Sequence, residues 1–90
     1  MLNSGKLAKI KETTEQIAVF CGVILDTVEF VNEDGHNILR VTIDREGGVS
    51  SSDCEQVSRA LSKKMDELDI INVHYFLEVT SPGKGDFQIK

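Results

Sequence analysis

Two cysteines, Cys21 and Cys54, and two histidines, His36 and His74, are the residues whose types could supply a nucleophile, a base or a soft-metal site. A nucleophile needs a base within hydrogen-bond reach and usually a third group to orient that base. Here the cysteines fall among apolar residues at helical spacing, so buried free thiols are expected. Zinc takes four ligands, commonly in close pairs, and no such pair occurs. Two cysteines do not make a disulfide framework. The acidic groups Glu33 with Asp34, Asp44 with Glu46, and Asp66 with Glu67 and Asp69 lack calcium-loop spacing and are expected to be solvated turns. Gly47 and Gly48 precede a helix as a phosphate loop would, but no lysine follows where that loop requires it. The GxxG clamp of small RNA-binding domains is missing too. These patterns predict a protein that is not an enzyme and takes neither metal nor cofactor.

Arg59, Lys63 and Lys64 form one basic cluster, and Lys6, Lys9 and Lys11 another. Such groups can hold RNA phosphates, but Glu55, Asp66 and Glu67 lie within a turn of the first cluster, which equally suits ordinary surface charge. Ten basic against fifteen acidic residues give a net charge of -5. That balance disfavours loose attachment to nucleic acid or anionic lipid and favours a basic protein partner. No apolar run approaches the roughly 20 residues of a membrane span, and the N-terminus lacks the apolar centre of a secretion signal. A cytoplasmic protein is expected.

The elements that position these residues follow from periodicity. Leu7, Ile10, Thr14, Ile17 and Cys21 recur at steps of three and four, predicting a helix from about Leu2 to Phe20 that ends at Gly22. Val23 to Val31 is rich in β-branched and aromatic residues and runs into Asn32, Glu33, Asp34 and Gly35, the chemistry of a hairpin turn. Its inward face is ambiguous, because Val23, Leu25 and Val31 compete with Ile24, Val28 and Phe30; a bulge or burial on both faces would reconcile them. Leu39, Val41 and Ile43 alternate with Arg40, Thr42 and Asp44 as a returning strand. Ser50 and Asp53, or Ser52 and Glu55, can open a second helix whose stripe is Cys54, Val57, Leu61, Met65 and Leu68. Tyr75, Leu77 and Val79 then alternate with Phe76, Glu78 and Thr80 as a third strand, which Ser81, Pro82 and Gly83 stop.

The expected fold is therefore α+β, a two-layer α/β sandwich of order αββαβ with two helices packed on one face of a three-stranded sheet. Residues 1–83 form the domain, and 84–90 are a linker or the stump of a longer chain. The strand order stays open.

The segment LRVTIDRE from Leu39 to Glu46, followed by GGVSSSDCEQVSRALSKKMDE and, after a gap, by YFLEVTSPG from Tyr75 to Gly83, resembles the RimP family of ribosome maturation factors. Gly22 and the Val28, Glu29, Phe30 triplet fit the family's first strand. The resemblance implies an N-terminal domain followed, beyond residue 90, by a small SH3-like barrel. It also implies a non-catalytic role in maturing the small (30S) ribosomal subunit, by contact with its twelfth protein near the decoding region. That protein is basic, in keeping with the acidic balance here. The chain departs from the family after Ser-Pro-Gly, reading Lys84, Gly85, Asp86 and Phe87 where a leucine, an acidic residue and Arg-Pro-Leu are usual.

The open sheet face and the strand ends are the expected docking surface, with Asp44, Glu46, Arg59, Glu78, Ser81, Pro82 and Gly83 as candidate contacts. The alternative is direct binding of ribosomal RNA through Lys6, Lys9, Arg59 and Lys63. A small acyl-phosphate hydrolase would have a similar mixture of elements, but its glycine-rich arginine loop and paired asparagine motif are missing.

Overall fold

The structure, a computed structural model, describes residues 3–82 and 86–88. Helix α1 spans Ser4–Cys21, strand β1 Ile24–Glu33, strand β2 His36–Asp44, helix α2 Ser51–Leu68 and strand β3 Phe76–Thr80. These are the five elements the periodicity predicts, in that order. A short strand β4, Asp86–Gln88, follows within the segment expected to be a linker and pairs antiparallel with β3. The sheet order is β1-β2-β3-β4. β1 and β2 form an antiparallel hairpin, whereas β2 and β3 run parallel, with α2 as the crossover that parallel strands require.

Each element ends where local chemistry stops it. The Asn3 side chain accepts a hydrogen bond from the Lys6 amide at 2.8 Å, capping α1. At its other end Gly22 is left-handed at φ 77°, with Gly22 N donating to the Val19 carbonyl and Val23 N to that of Ala18. These two hydrogen bonds satisfy carbonyls that a helix end leaves orphaned. Asp34 and Gly35 both have positive φ, 52° and 81°, between the paired Glu33 and His36. A two-residue turn of that type matches the twist of the strands it joins.

The ambiguous inward face of β1 is resolved by a bulge. Register runs Leu25 to Ile43 and then Thr27 to Thr42, so Asp26 is the extra residue. Leu25 and Val28 are three apart, yet each pairs with an inward residue of β2, Ile43 and Val41 respectively. One core results: Val28 of β1, Leu39, Val41 and Ile43 of β2, and Leu77 and Val79 of β3 meet Ile10, Ile17 and Ala18 of α1 and Cys54, Val57, Leu61 and Met65 of α2. Thr14 is fully buried in α1, and its hydroxyl donates to the Ile10 carbonyl at 2.7 Å, so it costs the core no unpaired group.

Helix α2 begins with a reciprocal cap. Asp53 N donates to Ser50 Oγ at 3.1 Å, while Ser50 N donates to Asp53 Oδ2 at 3.0 Å. The other oxygen of Asp53 accepts from Arg45 at 2.6 Å, fastening the β2–α2 loop to the helix. The Ser50 hydrogen bonds and the Arg45 charge hold the Asp53 carboxyl below the ordinary carboxylate range, against the opposing effect of its burial. A depressed folded-state pKa stabilises the fold above the ordinary value of 3.8 and loses that contribution as pH falls through the folded value. Asp53→Ala should therefore cost about 1 kcal/mol at neutral pH. In urea titrations over pH, the gap between the variant and the parent should close only below about pH 4.

Candidate functional site

The helices cover the inner face of the sheet and leave the outer one open. Alternation puts Glu29 and Val31 of β1, Ile38, Arg40 and Thr42 of β2, and Phe76, Glu78 and Thr80 of β3 on that outer face, opposite their buried neighbours. At its centre, Arg40 reaches two carboxylates. Its terminal nitrogens donate to both oxygens of Glu33 at 3.0 Å, and its Nε donates to Glu78 Oε1 at 3.2 Å. Arg40 and Glu78 are direct neighbours in the parallel register. The two carboxylates push the guanidinium pKa up, and the Arg40 hydrogen bonds and charge hold the Glu33 carboxyl below its usual range. The Glu78 side chain is 6% exposed, so Arg40 is what makes its burial tolerable.

At one end of this face, β2 and β3 leave the sheet side by side. Thr42 pairs with Thr80, so Asp44 and Glu46 on one chain segment and Ser81 and Pro82 on the other share that end. Asp44 and Glu46 are exposed, and among the described residues neither forms an ion pair. Asp44 accepts a hydrogen bond from the Arg45 amide at 2.7 Å. Arg45 itself is committed to Asp53, so the two free carboxylates give this end a negative potential. Ser81 is buried, its hydroxyl without a partner among the described residues, and Pro82 is exposed. Gly83 lies outside the described residues.

The other sequence-derived candidates are placed elsewhere. Arg59 projects from α2, in the helical layer, and is paired with Glu55 one turn away. Glu78 is on the open face, but its carboxylate is turned to Arg40. Among the lysines of the RNA alternative, Lys9 lies 3.9 Å from Glu12 on its own helix. Lys6 and Lys9 belong to the first helix, and Arg59 and Lys63 to the second.

At the opposite end of the open face, Phe76 stands between two imidazoles. His36 packs edge-on at 5.6 Å and His74 at 5.1 Å between ring centroids. Neither this cluster nor the Glu33–Arg40–Glu78 network was found from sequence, though alternation had already turned Arg40 and Glu78 outward. Their register, with Arg40 opposite Glu78, is the missing signal. Both cysteines are free as expected, but only Cys54 is buried and Cys21 is half-buried; burial pushes both thiols up, away from the reactive thiolate. Among the described residues no three His, Cys, Asp or Glu side chains come together as a metal site, and no helix is long and apolar enough to cross a membrane.

Fold and surface together define a small two-layer α+β domain with an open sheet face that ends in exposed carboxylates. Residues 13–85 match the RimP N-terminal domain. The chain belongs to that family, one of ribosome maturation factors. The match begins at Thr13, inside α1, and runs beyond the stretch whose motifs carried the resemblance.

Proposed function

We propose that this domain acts in assembly of the small ribosomal subunit without catalysing a reaction, by docking the exposed end of its sheet against a basic small-subunit protein, the twelfth, near the decoding region. Family membership supports the ribosomal setting. The observation that supports the docking surface is the pair of exposed carboxylates, Asp44 and Glu46, unpaired among the described residues and at the same end of the sheet as Pro82. Glu78 contributes by holding Arg40 rather than by touching the partner. Exposed acidic groups facing a basic protein mainly speed association and set orientation.

Asp44→Lys combined with Glu46→Lys should weaken binding of the purified ribosomal protein by roughly tenfold, chiefly through a slower on-rate that is sensitive to salt. Titration calorimetry and stopped-flow mixing at two salt concentrations would measure this. An unchanged affinity in a folded double variant removes this end of the sheet as the docking surface.

A further inference from the structure

We propose that the groove between α1 and α2 is a second docking site, and that its occupant is an acidic peptide segment carrying a large apolar anchor. The groove has a volume of about 360 Å³ and lies on the side of the molecule away from the open sheet face. Thr13 and Ile17 of α1 and Ala60 of α2 line it, the first two buried and the third half-buried. Phe20 lines it too and is 89% exposed, the most exposed of the large apolar residues described, with Val19 beside it at 71%. A large aromatic side chain left in water at the rim of a groove lined by Ile17 and Ala60 is what a helix-in-groove site presents before its partner arrives.

Charge selects the occupant. In a chain of net charge -5, this groove is bordered by two cations, Lys63 and Lys64, against one carboxylate, Glu67. Lys64 is shared with Glu67 at 3.6 Å, while among the described residues Lys63 has no ion-pair partner. Glu67 offsets Lys64, so one ammonium, that of Lys63, is left uncompensated and matches a segment bearing a carboxylate next to its anchor. A nucleic-acid strand fits less well, because its affinity comes from neutralising several phosphates and the groove offers too few cations for that. The site is independent of the acidic end of the sheet, and the two would take partners of opposite charge.

The test is selection of a displayed random peptide library on the whole 90-residue chain, with counter-selection against the Phe20→Ala, Lys63→Glu double variant. Both positions are exposed, so circular dichroism should show the variant folded. Enriched peptides should be acidic with a leucine or aromatic anchor, and synthetic copies should bind at least tenfold more weakly to either single variant. They should bind the Asp44→Lys, Glu46→Lys variant normally, which separates this site from the proposed ribosomal surface. Enrichment of basic peptides, failure to enrich any sequence, equal binding to the Phe20→Ala chain, or tighter binding of a uridine oligonucleotide at this groove would each overturn the proposal.

Discussion

Arg40→Met is expected to lower the unfolding free energy by about 3 kcal/mol, the lower end of the cost of stranding a buried charge. The substituted side chain keeps much of the aliphatic length but removes all the donors that reach Glu33 and Glu78. Glu33 is half exposed, and water replaces what it loses. Glu78 is 6% exposed on its side chain, and no other described cation is paired with it. Because the Arg40 side chain is itself 26% exposed, some water reaches the site and holds the loss near the lower bound. For a domain of this size the thermal midpoint should fall by roughly 12–24 °C, at about 4–8 °C per kcal/mol. Glu78→Met in the same chain should restore most of the loss, since a buried pair replaced by apolar side chains is often neutral. Thermal melts of the single and double variants decide it: if the double variant is no more stable than the single, Glu78 was not left stranded and the network is surface decoration.

Leu39→Ala should be as costly, about 3–4 kcal/mol, for a different reason. Leu39 is fully buried on β2, the strand flanked by both β1 and β3, where its register partners are Phe30 and Leu77. Neighbours from two strands and the helices above are fixed by their own ladders and cannot collapse into the vacated space, so a cavity remains. Against a total of about 5–15 kcal/mol for an ordinary domain, this loss is large. Urea titration should show a lower midpoint with an unchanged slope. A cost below about 1 kcal/mol would mean that the sheet and helices relax together, contrary to the close packing of protein interiors.

Periodicity was enough for the helices and for β2 and β3, because each buries one face and the pattern of burial is written into neighbouring residues. The stripe of α1, the cap at Ser50 and Asp53, and the left-handed Gly22 all follow from local chemistry. β1 is different. Its pattern changes phase at Asp26, and only pairing with Ile43 and Thr42 shows that one residue is surplus. The sheet order and the parallel pairing of β2 with β3 are non-local and leave no mark on either strand alone.

The candidate site divides along the same line. Asp44, Glu46 and Pro82 were legible as the polar ends of strands, and the register places them at one end of the sheet. Arg59 stood among basic residues at helical spacing, but helix geometry turns it to Glu55 and into the other layer. Glu78 looked like an exposed strand carboxylate by alternation, whereas Arg40 of the neighbouring strand covers it. Phe20 falls outside the apolar stripe of its helix, and an isolated exposed aromatic is uninformative until the second helix is seen to form a groove with it.

The mixed pairing of the sheet also sets the order in which the molecule can assemble itself. The β1–β2 hairpin closes across two residues, Asp34 and Gly35, a step of about 1–10 μs. Arg40 and Glu78, by contrast, are separated by 38 residues of chain, and β3 cannot join until α2 has folded back over the sheet. Closing that long loop is the slow entropic toll of the topology. A growing polypeptide that has passed Asp44 but not yet reached Thr80 therefore carries a finished hairpin with one raw side. Leu39, Val41 and Ile43 sit on a strand whose outward amides and carbonyls still face water. The interval vulnerable to mispairing is the one between closure of the hairpin and the docking of β3, and a variant that slows the folding of α2 would lengthen it.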